Sequence, residues 1–232
     1  MPWLSLWIRL KGKRTDLEVK LLRFIGFFDY TTWLTYISCA SAVFGIISAC
    51  HGNTGLAVIC ILLSGFCDLF DGIVARTKKD RTQEQKNYGI QIDSLSDVIA
   101  FGVLPAVTFY KSGVDSVIGI LILIIYVLCG LIRLAFFNVL ETRRQANPDE
   151  DACAKSFRGM PITFSAIITP VVFFIGWLLP ADVSIWLYYA APAVMAFLFV
   201  LDIKVPKPNV GKLLFKQKER KIHKNQNHRS NR

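Results

Sequence analysis

Long apolar runs separated by short polar segments organise this chain. Residues 31–50, 55–76, 89–110, 116–140, 161–179 and 183–203 are each predominantly apolar. About twenty such residues carry an α-helix across a bilayer core. Lipid offers no partner to a backbone N–H or C=O, so a run of this kind must close its hydrogen bonds within itself, as a helix. The pattern predicts an all-α, polytopic membrane protein with six transmembrane helices. Residues 1–29 begin Met1-Pro2-Trp3-Leu4-Ser5-Leu6-Trp7-Ile8-Arg9 and lack the small-residue cleavage site of a signal peptide. Their basic residues and tryptophans predict an amphipathic helix lying in the membrane interface. No internal repeat is visible. The expected organisation is a cytoplasmic or interfacial segment 1–29, a six-helix domain 30–203 and a basic tail 204–232.

Composition agrees with this class: 53% of residues are hydrophobic and only 19% charged, low for a soluble domain. The distribution of positive charge sets the expected orientation. The N-terminal segment carries Arg9, Lys11, Lys13, Arg14, Lys20 and Arg23. The loop after the second run carries Lys78, Lys79, Arg81 and Lys86, and the loop after the fourth carries Arg143, Arg144, Lys155 and Arg158. Residues 51–54 and 180–182 hold no Lys or Arg, and 111–115 hold only Lys111. Basic loops stay cytoplasmic, which predicts that both termini lie in the cytoplasm; the expected location is the cell membrane, with the acid-bearing ends of the helices facing the cytoplasm. The tail from Lys204 to Arg232 has ten Lys/Arg against Glu219 alone, +9 of the formal net charge of +10. With no interleaved aromatics beyond Phe215 and no nucleic-acid-binding motif, this charge points to anionic lipid headgroups rather than nucleic acid. Its polar end, Asn225 to Arg232, is expected to be disordered.

Cysteines and histidines add little. Cys39, Cys50, Cys60, Cys67, Cys129 and Cys153 form no paired metal-ligand motif and read as small apolar filler. His51, His223 and His228 fall on loops or the tail, which argues against histidine-based chemistry.

Against this apolar background, two consecutive runs contain four aspartates: Asp68 and Asp71, then Asp93 and Asp97. Each costs roughly 2.5–3.5 kcal/mol inside a spanning helix on insertion scales. At ~100° per residue, Asp68, Asp71, Gly72, Ala75 and Arg76 share one helix face. Gly89, Asp93 and Asp97 recur every fourth residue on the next. Two antiparallel helices joined by the polar residues 77–88, read as a loop, can turn these faces toward each other. Gly72, Ala75 and Gly89 would let backbones or a bulky ligand come close. Three readings follow. The acids could pair with Arg76 and Arg133, but two arginines cannot neutralise four carboxylates. They could form a proton or cation relay in a transporter, yet all four lie toward the cytoplasmic ends of their helices and the last two runs show no ionisable partner across the membrane. The third reading is oxygen coordination of a hard divalent cation, Mg²⁺ or Mn²⁺, serving phosphoryl chemistry.

The string Asp68-x2-Asp71-Gly72-x2-Ala75-Arg76 followed by Gly89-x3-Asp93-x3-Asp97 resembles the eight-position signature of the CDP-alcohol phosphatidyltransferase family. Twelve residues separate Arg76 from Gly89, where the family more often has eight. Three flanking segments resemble its phosphatidylserine synthase branch: Gln91 to Asp97 continuing to Phe101-Gly102-Val103-Leu104-Pro105-Ala106, Arg133-Leu134-Ala135-Phe136-Phe137-Asn138, and Phe157-Arg158-Gly159-Met160-Pro161. Phe136 stands where the branch often has a second arginine, and Thr32 where it tends to have asparagine. The resemblance covers about residues 30–200.

That resemblance implies transfer of a phosphatidyl group from CDP-diacylglycerol to an alcohol with release of CMP, and in this branch the alcohol is L-serine. It implies that Asp68, Asp71 and Asp93 ligate divalent metal, with Asp97 contributing a ligand and serving as general base. Gly72, Ala75, Arg76 and Gly89 are implied to take CDP-diacylglycerol. Serine's carboxylate needs a cationic partner; Arg133 is the first candidate, since an arginine within a span is costly and its fork suits a carboxylate. Arg158 and Asn138 are further candidates. Family members are usually homodimers. The alternatives are another acceptor (glycerol phosphate, inositol phosphate or choline) and the carboxylate-relay transporter.

Overall fold

The computed structural model describes residues 32–77, 82–146, 156–158, 160–202 and 204–206. The expected interfacial helix of residues 1–29 and nearly all of the basic tail lie outside them. The chain builds α1 (Trp33–Cys50), α2 (Thr54–Thr77) and α3 (Gln83–Asp97). A π-helical turn (Val98–Val103) then runs directly into α4 (Leu104–Lys111). α5 (Val117–Ala146) follows, then a 3₁₀ turn (Ile162–Phe164) opening α6 (Ser165–Leu178), and α7 (Ala181–Val200). Among the described residues, five helices are long and apolar enough to cross a membrane: α1, α2, the continuous Gln83–Lys111 rod, α5 and α7. The fifth expected run is the shorter apolar helix Ile162–Leu178. Among the described residues, the one departure from all-α structure is a small antiparallel pair, β1 (Ser156–Arg158) against β2 (Lys204–Pro206), with Arg158 opposite Lys204.

Packing is inverted relative to a soluble protein. Large apolar side chains such as Ile124, Leu128 and Ile132 on α5 and Phe174 and Trp177 on α6 face outward, while Thr35, Ser38, Ser64, Ser96, Thr108 and Ser165 are buried. Lipid tails are as apolar as leucine, so small residues and interhelical hydrogen bonds hold such a bundle together. α1 shows this directly, because Thr35, Ser38, Ala42, Gly45 and Ala49 form a buried stripe of small side chains. Across the seam with α2, Ser38 donates to the Ser64 carbonyl at 3.3 Å and Ser64 returns a bond to the Ser38 carbonyl at 3.1 Å. Two tight turns close the end of the bundle away from the acids. Gly52 (φ +87°) and Gly113 (φ +108°) each take the left-handed conformation that ends a helix in a Schellman motif. The bonds from Asn53 to Ser48 and from Val114 to Phe109 close those motifs.

The region read as a loop, 77–88, is mostly helix. α2 continues to Thr77 and α3 starts at Gln83, so seven of those twelve residues, 77 and 83–88, are helical. The cause is local. Thr82 caps the helix by accepting from the Gln85 N–H at 3.2 Å, and the Gln85 side chain accepts from the Thr82 N–H at 3.2 Å. This reciprocal capping box satisfies two donors at the helix start. Gln83 through Tyr88 are therefore a polar helical extension that raises α3 beyond the apolar run.

A buried hydroxyl ties the bundle centre together. The Tyr126 hydroxyl of α5 donates to the Phe101 carbonyl in the π turn and lies 2.9 Å from the Ser165 hydroxyl on α6. Tyr126 is fully buried, so this bond ties the π turn just beyond Asp97 to two other helices. Tyr126→Phe should lower stability by about 1–3 kcal/mol, the usual cost of leaving a buried carbonyl unsatisfied. A reduced thermal midpoint in detergent, with CDP-lipid binding still measurable at low temperature, is the expected result.

Candidate active site

The acids on α2 and α3 converge as the helix faces require. One carboxylate oxygen each from Asp68, Asp71 and Asp93 lies within 4.8 Å of the others. Two like charges at that distance repel by roughly 3 kcal/mol at an effective dielectric of about 20. Asp71 is only 8% exposed, so water cannot screen it fully. Three close, partly buried oxygen donors fit a hard divalent cation, whose charge would relieve the repulsion. Asp97, at 7% exposure, is more enclosed than Asp68 or Asp93 and lies outside this three-carboxylate group.

α1 braces the cluster through a residue not singled out in the sequence. Thr35 donates to Asp71 Oδ2 at 3.3 Å, and its backbone carbonyl accepts from the Ser96 hydroxyl of α3 at 3.3 Å. One residue thus links the two acid-bearing helices. The available signal was its place on the small polar stripe of α1, which a search for ionisable groups passes over. Thr32, at the position where the branch tends to have asparagine, is also buried.

Next to the cluster a cavity of about 270 Å³ opens, lined by Asp68, Asp93 and Asp97 on one side and by Arg133, Asn138 and Glu141 of α5 on the other. Pro161, Ile162 and Thr163, entering α6, close it. Asn138 is held by Ser94 of α3: Ser94 donates to Oδ1 at 3.1 Å and Nδ2 donates to the Ser94 hydroxyl at 2.9 Å. Arg133 is 7% exposed, with its guanidinium carbon 5.6 Å from the Phe137 ring centroid. Its Nε is buried and has no hydrogen-bond partner among the described residues. A cationic donor left unfilled in an apolar bundle is costly, and Arg133 lines a cavity from which an anionic group can reach it.

The expected set is therefore brought together for Asp68, Asp71, Asp93, Asp97, Arg133 and Asn138. Gly72 lies on α2, and among the described residues nothing comes within 4 Å of where a β-carbon would sit. Gly89 lies within α3, one turn before Asp93. Ala75 and Arg76 continue the α2 backbone, and their side chains lie outside the described residues. So does the side chain of Arg158, whose backbone stands in β1. Phe137, Glu141 and Thr163 were not anticipated. Glu141 lies on α5 beyond the apolar run, where only helix continuation brings it back to the cavity.

A helical membrane bundle that sets clustered carboxylates against a buried arginine at one end of its helices has the makings of a membrane-embedded, metal-binding phosphotransfer site. The chain belongs to the CDP-alcohol phosphatidyltransferase family, whose model matches residues 29–200. It is 36% identical over 151 residues to the archaetidylserine synthase of Methanothermobacter thermautotrophicus, covering 65% of this chain and 58% of that protein. It is 31% identical over 183 residues to the CDP-diacylglycerol–serine O-phosphatidyltransferase of Methanocaldococcus jannaschii, covering 78% and 74%. The enzyme of the same name from Bacillus subtilis is 29% identical over 150 residues, covering 61% and 77%. The chain thus spans less than two thirds of the first of these relatives and about three quarters of the other two. No solved structure matches it.

Proposed function

We propose that this protein transfers a phosphatidyl group from CDP-diacylglycerol to L-serine, giving phosphatidylserine and CMP. The observation that carries the reading is the cavity itself, where family-signature aspartates of α2 and α3 face a buried Arg133 whose Nε is unfilled. The names of the relatives support serine as the acceptor.

Asp68, Asp71 and Asp93 would hold Mg²⁺ or Mn²⁺, and Asp97 stands close enough in sequence and cavity to contribute a ligand. Bound metal supplies positive charge that neutralises the diphosphate and the departing CMP. The protein's own groups do the rest. Gly72 leaves open the space that a ribose or cytosine needs, with Ala75 and Gly89 on the same two helix faces and Arg76 as a phosphate partner. Arg133 receives the serine carboxylate in its fork and so aims the hydroxyl toward the acids. Asp97 accepts the hydroxyl proton as the serine oxygen forms its bond to the β-phosphorus, and the bond from that phosphorus to the CMP oxygen breaks. Asn138, oriented by Ser94, and Arg158 are further serine contacts. In this reading the loop charges orient the site toward the cytoplasm, in the cell membrane, and the basic tail rests on anionic headgroups.

The test is release of CMP by purified protein with CDP-diacylglycerol and Mn²⁺, which should require serine. Release of CMP at the same rate without any alcohol would contradict direct transfer. Arg133→Ala should raise the KM for serine far more than that for CDP-diacylglycerol, because only serine brings a carboxylate. Arg133→Lys should recover little, since an ammonium cannot reproduce the bidentate fork. Equal losses for both substrates would move Arg133 to the diphosphate.

A further inference from the structure

We propose that Thr35 is a positioning residue for the cation site: its hydroxyl aims the Asp71 carboxylate and its carbonyl anchors α3 beside Asp97. A helix that carries no acid of its own, α1, would thereby set the geometry of the acids on the other two. This rests on the reading in which Asp68, Asp71 and Asp93 hold the metal, and adds to it a residue outside the family signature.

α1 packs against both acid-bearing helices, and α2 and α3 share less direct backbone contact with each other than either shares with α1. Like charges on α2 and α3 push the two helices apart until a cation joins them. The restraint on their separation therefore comes through α1. Thr35 stands where that restraint meets the cluster. Its hydroxyl donates to Asp71 Oδ2 on α2, and its carbonyl accepts from the Ser96 hydroxyl on α3, each at 3.3 Å. The neighbouring Tyr36 hydroxyl lies 3.2 Å from that of Tyr88, a further tie between α1 and the first half of α3.

A helical serine or threonine can return its hydroxyl to the carbonyl one turn earlier. Ser48 does so to Phe44 at 2.8 Å, Thr108 to Leu104 at 2.7 Å and Thr142 to Asn138 at 2.8 Å. Thr35 instead reaches across the seam to a carboxylate. Its 3.3 Å bond is longer than the ~2.5–2.7 Å of a strong O–H···O⁻ contact, so what it contributes is direction rather than strength. An ionised carboxylate offers about four lone-pair sites. A donor on one of them fixes the plane of the group and leaves the others for a cation. Groups that orient metal ligands in this way are commonly worth ~10–100-fold in metal affinity.

The experiment reads the metal directly. Mn²⁺ is titrated calorimetrically into full-length protein in detergent, with CDP-diacylglycerol present and serine absent, for wild type, Thr35→Val, Thr35→Ala, Thr35→Ser and Asp71→Asn. Thr35→Val keeps the shape of the side chain without its donor and should weaken Mn²⁺ binding by ~10–100-fold. Thr35→Ser keeps the donor and should recover most of that loss. With serine added, excess Mn²⁺ should restore turnover in Thr35→Val and leave the serine KM unchanged, which a merely structural role would not allow. Thermal unfolding in chelator identifies a variant that has not folded, and Thr35→Ala, which suits the small-residue stripe of α1, then carries the comparison. Wild-type Mn²⁺ affinity in a folded Thr35→Val or Thr35→Ala, a loss that Thr35→Ser does not recover, or failure of both donor-free variants to fold would overturn the assignment. Any of these in a wild-type protein that binds Mn²⁺ better than Asp71→Asn removes only the role of Thr35. A wild type that binds Mn²⁺ no better than Asp71→Asn removes the metal reading beneath it.

Discussion

Asp97→Asn is expected to cut turnover by ~10²–10⁴, the usual share of a general base, while binding of CDP-diacylglycerol and Mn²⁺ stays within several-fold of wild type. The amide is nearly isosteric and keeps one oxygen that can still face the cavity, but it cannot take up a proton at neutral pH. The geometry sharpens this expectation. Asp97 lines the cavity yet stands outside the group of carboxylates that meet within 4.8 Å, so its loss removes a proton acceptor before it removes a cation site. Calorimetry with a CDP-lipid, with and without metal, beside a rate assay separates the two roles. Near-normal turnover in Asp97→Asn would transfer proton acceptance to another group.

Asp71→Asn and Asp93→Asn should do more damage, and of a different kind. Each removes one of three converging donors, so the nucleotide should no longer bind in a metal-dependent manner, and turnover should fall at least as far as in Asp97→Asn. Asp71 also accepts the Thr35 hydroxyl, so an amide there can turn its NH₂ toward the cluster and repel a cation. Calorimetric titration of CDP-diacylglycerol should show the same weak affinity with Mn²⁺ as with chelator. Retained metal-dependent binding in both variants would place the cation elsewhere.

Much of this was legible in the chain because hydrocarbon imposes a simple rule. The apolar runs beginning near residues 31, 55, 116 and 183 correspond to α1, α2, α5 and α7 with ends displaced by a few residues, since a spanning helix must be apolar where it meets lipid. The four aspartates stood out for the same reason, and period-four spacing placed Asp93 and Asp97 on one face. What the pattern hid lies beyond the apolar runs. Gln83 to Tyr88 are polar and looked like loop, although Thr82 and Gln85 carry the capping-box spacing that starts a helix there. α5 likewise continues to Ala146, six residues past its expected end, and that extension carries Glu141. Hydropathy marks where helices leave the membrane, whereas hydrogen bonding sets where they stop. Thr35 was missed for another reason: a hydroxyl in a spanning helix costs little and does not stand out, and only the packing of α1 against its neighbours brings it to Asp71. The Tyr126 bond to Phe101 is equally non-local.

The central claim is that the cavity joins serine to a phosphatidyl group. The most direct measurement is incorporation of labelled serine into lipid by purified protein in mixed micelles with CDP-diacylglycerol and Mn²⁺, with unlabelled glycerol phosphate, inositol phosphate or choline as competitors. The account predicts labelled phosphatidylserine formed in equal amount to CMP, abolished by chelator, and little affected by the competing alcohols. CMP release accompanied by a glycerol phosphate, inositol phosphate or choline lipid product, with no label from serine in the lipid, would contradict it.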